Sequence, residues 1–216
     1  MSACCGHVQS AGRFFSLFAK RYRKRFDKKG FELSQRHLLA GLEQIGFRDA
    51  TVLEIGCGVG HLHQTLLERG AGSAVGVDLA PKMLAEAQTW ADERGLSERV
   101  EYVEGDFMTL DNDPGNADLC LLDKVVCCYP DARGLIAKSL SKTNRIYALI
   151  YPRDRWFVRF GSAAASFGLW LLRSEFRSYV HDPKQIEHWI IDSGFTKQCE
   201  DRTVAWWIQI YVKQRP

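Results

Sequence analysis

At 216 residues the chain is long enough for one α/β domain with a full core. Its 46% hydrophobic and 25% charged residues exclude a disordered chain. The formal charge of +3 is too small to point to nucleic acid as a partner.

In chain order, residues 13–29 read as a basic helix. Phe15, Phe18, Tyr22 and Phe26 share one face, among Arg13, Lys20, Arg21, Arg23, Lys24, Arg25, Lys28 and Lys29. A second helix is expected over 34–45, with Ser34 as its N-cap and Gly46 ending it. From Thr51 short apolar runs alternate with amphipathic stretches. Strands are predicted at 51–55, 73–78, 99–104, 117–122 and 145–151, with helices near 60–69, 82–94 and 131–141. That alternation implies βαβ units and a largely parallel sheet covered on both faces. An insertion, Trp156 to Arg173, precedes a helix near 183–193. Two last strands, 195–200 and 203–212, pair as a hairpin that adds an antiparallel edge. The expected organisation is a helical extension, 1–50, packed on a domain, 51–216, with a helical insertion at about 153–182.

The strongest chemical signal is Val52-Leu53-Glu54-Ile55-Gly56-Cys57-Gly58-Val59-Gly60, a strand running into a glycine turn and then a helix. Glycines there let the backbone approach a ligand closely, and the helix start offers unpaired N–H groups. The spacing departs from the dinucleotide pattern G-x-G-x-x-G, because His61 stands where the third glycine falls. Glu54 before the first glycine suits a ligand with a positively charged amino-acid end. Asp78, followed by Leu79, closes the second strand, where a carboxylate accepts both ribose hydroxyls of an adenosine. Asp106 ends the third strand, placed for an adenine amino group with Phe107 flanking the ring, and Asp123 ends the fourth. All these positions fall on the sheet edge where open α/β folds bind ligands.

In this order and spacing, the run from 51 to 131 resembles the class I S-adenosylmethionine-dependent methyltransferases. The resemblance implies a Rossmann-like seven-stranded, mostly parallel sheet with a reversed last strand, S-adenosyl-L-methionine as cofactor, and methyl transfer as the activity. It carries Glu54, Gly56, Gly58 and Gly60 onto the first motif, Asp78 onto the ribose acid and Asp106 onto the adenine acid. Cys57, Leu79 and Phe107 sit beside these, and Asp123 falls beside the transferable methyl.

The acceptor is less specified. Branches that methylate amino groups of nucleic acids and proteins carry an Asn/Asp-Pro-Pro-Tyr-like motif after the fourth strand. Here Asp123-Lys124-Val125-Val126-Cys127-Cys128-Tyr129-Pro130 stands in its place, which argues for a small apolar or aromatic acceptor methylated at oxygen or nitrogen. The alternatives are an RNA or protein methyltransferase using the basic helix, and a cofactor-binding protein without turnover.

The aromatic insertion makes magnesium-protoporphyrin methyltransferases the nearest branch. They have a tyrosine pair where this chain has Cys127 and Cys128. Its stripe of Trp156, Phe160, Ala163, Phe167 and Trp170 reads either as a helix packed on the core or as an exposed surface. The exposed forms are a lid over an apolar substrate and a membrane contact, for which the basic helix at 13–29 is the other candidate.

His181 is the first candidate for a general base, with Tyr129 and Tyr179 as alternatives. His61 and His63 point different ways on one helix and make a poor metal pair. The seven cysteines are odd in number and irregularly spaced, which fits reduced thiols in a cytoplasmic protein. No Cys-x-x-Cys pair is present, so no zinc site is expected. The pairs Cys4-Cys5 and Cys127-Cys128 add a weaker reading of soft-metal or metalloid chemistry. Neither a signal-peptide layout nor an uncharged run of about 18 residues appears in the sequence.

Overall fold

A computed structural model of the chain describes residues 3–171 and 177–214, without the side chains of 3–9, 165 and 169–171. Cys4, Cys5 and Trp170 therefore lie outside the described side chains.

The predicted strands all form. β1 (Thr51–Ile55), β2 (Ser73–Asp78), β3 (Val100–Glu104), β4 (Ala117–Asp123) and β5 (Thr143–Pro152) run parallel. β6 (Phe195–Arg202) and β7 (Trp206–Lys213) form the terminal hairpin, and β7 lies antiparallel beside β5. The order across the seven-stranded sheet is β3-β2-β1-β4-β5-β7-β6. This is the Rossmann-like arrangement with one reversed strand expected from the sequence. The order reverses beside β1, which leaves a crevice at the carboxyl ends of β1 and β4.

The period-2 alternation of strand residues builds two cores. Along β5, Ile146, Ala148 and Ile150 face α3 (Leu33–Ile45) and α4 (His61–Glu68), where Leu38, Leu42, Leu62 and Leu66 are fully buried. Tyr147, Leu149 and Tyr151 face α6 (Ala132–Ser141) and α8 (Pro183–Asp192) through Leu135, Ile136, Ile186 and Ile190. Pro183 enters α8 at its first turn behind the Asp182 side chain, which accepts from Lys184 N.

Two local expectations are corrected. The basic stretch 13–29 is not one helix. α1 (Ala3–Ser16) and α2 (Ala19–Lys29) are separated by a turn at Leu17 and Phe18, although neither glycine nor proline stands there. The break is tertiary in origin. Gly12 sets α1 so close to Leu79 that an added Cβ would lie 2.6 Å from its carbonyl oxygen. Meanwhile Arg23 ties α2 to Glu86 and Glu93 of α5 (Pro81–Glu93). A straight helix would not satisfy both.

The second correction is the cap of α3. Glu32 is the N-cap and its backbone N–H donates to Gln35 Oε1 at 3.1 Å, whereas Ser34 is buried inside the first turn. The Glu32-x-x-Gln35 pair forms a capping box, which wins over the lone serine.

The hairpin is fixed to the sheet by a buried polar knot. Tyr151 and Tyr211 each donate to Gln209 Oε1 at 2.8 Å, and Gln209 Nε2 donates to Glu200 at 2.9 Å. Gln209→Leu would strand both hydroxyls and should cost roughly 2–4 kcal/mol in urea denaturation. In a Tyr151→Phe/Tyr211→Phe background the same change should cost clearly less, since the stranded donors are gone. Equal costs in the two backgrounds would rule out the knot.

Candidate active site

The crevice is built from the β1 end upward. After Ile55 the chain turns through Gly56 and Gly58, with φ of 67° and 55°. The two glycines are required for different reasons. A Cβ on Gly56 would lie 2.5 Å from Val125 Cγ2, so the turn is pressed against the segment after β4. A Cβ on Gly58 would meet nothing within 4 Å. Its left-handed backbone faces open space, a cradle that a side chain would fill.

Two carboxylates brace this turn. Asp78 Oδ2 accepts from Gly58 N at 2.7 Å and Oδ1 from Ala80 N at 2.8 Å. Burial raises the pKa of Asp78 to about 6, despite those two backbone donors. Glu54 is buried, and its Oε2 accepts from His63 Nδ1 at 2.6 Å and from His63 N at 3.2 Å. His63 Nε2 meets the Tyr102 hydroxyl at 3.1 Å, so the histidine acts behind the loop to hold Glu54. His61, on the same helix, turns the other way. It stacks on Phe26 at 3.8 Å between ring centroids, and burial lowers its pKa to about 3.

The remaining predicted residues gather at the same edge. Asp106 Oδ1 accepts from Met108 N at 3.0 Å and from the Tyr129 hydroxyl at 2.6 Å. Tyr129 thus donates to the acid, and burial together with the Asp106 charge raises its pKa strongly. Phe107 borders the crevice from the core, with the Lys138 ammonium 5.2 Å from its ring centroid. Asp123 ends β4 with Oδ2 accepting from Gln35 Nε2 at 2.6 Å, and burial raises its pKa. Lys124, next along, adopts a left-handed φ of 60° and reaches Glu32 at 2.6 Å. Glu32 also pairs with Arg25 at 2.6 Å.

Together these groups line a cavity of about 590 Å³, within the range of small-molecule sites. Glu54, Gly56, Cys57, Gly58, Asp78, Leu79, Asp106, Phe107, Asp123 and Tyr129 all border it, and Gly60 caps α4 just behind. His181 lies outside the wall, with Nε2 turned to the Tyr129 carbonyl oxygen at 3.0 Å.

Phe15, Tyr22, Arg25, Phe26 and Gln35 also line the cavity, and sequence reasoning did not place them there. The two amino-terminal helices roof the site. The three-to-four spacing of aromatics was the available signal, but it reads equally as a helix packed anywhere.

The aromatic stripe of α7 (Trp156–Leu171) is not packed on the core: Trp156 is 79% exposed, Phe160 72% and Phe167 60%. The helix is tied to the cavity rim. Ser162 donates to Ser178 O at 2.9 Å, and Ser178 N donates to Ser166 Oγ at 3.2 Å. Tyr179, one residue on, lines the cavity. No helix among the described residues is long and apolar enough to cross a membrane.

Residues 52–143 match the family model of a methyltransferase domain. The ribosomal protein L11 methyltransferase of Pasteurella multocida is 35% identical over 63 residues, 29% of this chain and 22% of that protein. The chain thus spans only about a fifth of that relative's length. The ubiquinone biosynthesis O-methyltransferase of Pseudomonas paraeruginosa is 25% identical over 158 residues, covering 70% of this chain and 67% of the relative. Magnesium protoporphyrin IX methyltransferase from Synechocystis PCC 6803, solved with bound SAM, superposes with a TM-score of 0.70 at 20% identity. That match covers 99% of this chain and 100% of the other, and shows a shared fold. The family match begins at the glycine turn's own strand and ends where β5 begins, so it holds Glu54, Asp78, Asp106 and Asp123. Residues 52–143 thus match a methyltransferase domain, and the chain as a whole shares the fold of a methyltransferase solved with bound SAM.

Proposed function

We propose that the chain binds S-adenosylmethionine in this cavity and catalyses methyl transfer to a small, apolar or aromatic acceptor at oxygen or nitrogen. The observation that carries the reading is the open side of Gly58 next to the buried Asp78 carboxylate. In this reading Asp78 accepts ribose hydroxyls, and Asp106, hydrogen-bonded by Tyr129, accepts from an adenine amino group. Glu54, held by His63, supplies negative charge near the turn for the ammonium of the methionine end. The cofactor supplies a sulfonium methyl, whose displacement demands close approach in line and exclusion of water.

A small acceptor is supported by the roof. Phe15, Tyr22 and Phe26 line the cavity and give it a largely apolar wall suited to a compact molecule. The relatives named above include a ubiquinone biosynthesis O-methyltransferase and a magnesium protoporphyrin IX methyltransferase, both of which agree with such an acceptor. The exposed face of α7, tied to the rim beside Tyr179, is placed to guide an apolar molecule inward. For a hydroxyl or amine acceptor, Asp123 is the group best placed to take the proton. It is buried, its pKa is raised, and Gln35 fixes it on one oxygen.

Calorimetric titration with S-adenosylhomocysteine tests the cofactor site. Asp78→Ala should weaken binding roughly 10- to 100-fold, the effect of losing hydrogen bonds to a charged group. A folded wild-type protein that does not bind would overturn the reading.

The pH dependence follows from the raised pKa. Asp78 is ionised above about pH 6 and protonated below it, and only the ionised form accepts freely from two hydroxyls. Affinity should hold from pH 7 to 8 and decline as pH falls through about 6. The Asp78→Ala variant should show a flatter profile; an equally steep one would assign the titration to another group.

A further inference from the structure

The paired cysteines after β4 are not used by the proposed reaction. Val126–Cys128 forms a single 3-10 turn, and Tyr179 N donates to Cys127 O at 2.8 Å to fix its backbone. Both thiols are gathered on one acceptor. Cys127 Sγ donates to Lys124 O at 3.1 Å and Cys128 Sγ approaches the same oxygen at 3.6 Å. The two thiols thus share one carbonyl oxygen, and the Cys127 side chain is the first cause that raises the pKa of Cys128. Cys127 is 7% exposed and packs into the core, whereas Cys128 lines the cavity.

The number and placing of the sulfurs select a ligand class. No group of three or more His, Cys, Asp or Glu able to hold a metal occurs among the described residues. A zinc ion, which takes four ligands, has no set to bind here. Thiol ligands favour soft centres. A pyramidal trivalent centre takes two sulfurs from adjacent residues and keeps its third bond for an organic group. We propose that Cys127 and Cys128 form a dithiol site in the cavity wall that chelates trivalent organoarsenicals, R–As(OH)₂.

The condensation is balanced. Two S–H and two As–O bonds break, two As–S and two O–H bonds form, and two waters leave. Arsenic stays trivalent, and no oxidant or reductant is needed. The Cys127 hydrogen bond and burial hold Cys128 well above the ordinary thiol range, so its proton departs with the leaving hydroxide. The organic group carried on arsenic at Cys128 then occupies part of the cavity. The site does not depend on which acceptor the enzyme methylates.

The test uses phenylarsine oxide on the full chain in a Cys4→Ser/Cys5→Ser background, which removes the other adjacent pair. Intact mass should show one phenylarsenic adduct, stable to excess 2-mercaptoethanol and removed by 2,3-dimercaptopropanol. Tryptic mapping should place it on the peptide 125–133, a readout that needs no substitution in the turn. Cys128→Ser should lose the resistance to monothiol, while Cys199→Ser keeps it. An adduct on another peptide, or one that 2-mercaptoethanol strips from the starting protein, would overturn the proposal.

Discussion

The site depends on one hydrogen bond, from Gly58 N to the Asp78 carboxylate at 2.7 Å. It joins the turn after β1, which borders the crevice, to the end of the adjacent parallel strand β2. With the bonds of Gly56 N and Cys57 N to Val77 O, it holds glycines whose backbone would otherwise have the most conformational freedom. The carboxylate is not there at low cost. Burial opposes its charge, and two backbone donors offset only part of that penalty. A buried acid with incomplete compensation is the arrangement expected where a further set of donors belongs to a ligand.

The same logic extends along the edge of the sheet. Glu54 and Asp106 are each held by a second residue, His63 and Tyr129, so that the acids keep their positions before any ligand arrives. Asp123 is held from α3 by Gln35, and the adjacent Lys124 by Glu32. Glu32 joins the carboxyl end of β4 to α2 and α3: it caps α3, pairs with Lys124 and pairs with Arg25 of α2. Burial alone would raise the pKa of Glu32, and the Lys124 and Arg25 contacts outweigh it, so the carboxylate remains charged. One side chain therefore links the roof to the strand end where methyl transfer is proposed.

How much of this the sequence displayed depends on the range of the contacts. The glycine turn and the acids at 54, 78, 106 and 123 were legible because each is defined by its position at the end of a short apolar strand. Strand ends follow from local periodicity. The roof was not legible. Gln35 and Asp123 are 88 residues apart, and Glu32 and Lys124 are 92 apart. Nothing local distinguishes a helix that covers a cavity from one whose basic face meets solvent. His181 shows the same limit at shorter reach. The polar segment was placed near the rim, but the direction of the ring is set by Tyr129, 52 residues earlier.

The roof also bears on the small acceptor proposed above. An open class I crevice exposes its ligand edge to polymers, and specificity for a polymer requires a surface that remains open. Here α1 is seated on Leu79 through Gly12, where no side chain fits, and α2 is bound to α5 through Arg23. Phe26, Phe31, His61 and Trp90 interlock beneath, with the His61 ring stacked on Phe26 and edge-on to Trp90. Burial keeps that imidazole neutral, so the contact adds no charge to an apolar ceiling. The rim beside Tyr179 adjoins α7, which presents its exposed aromatics. An apolar approach leading to an apolar ceiling, with the acids confined to the cofactor edge, places the charges where a sulfonium nucleoside needs them and leaves the acceptor side to shape and hydrophobicity.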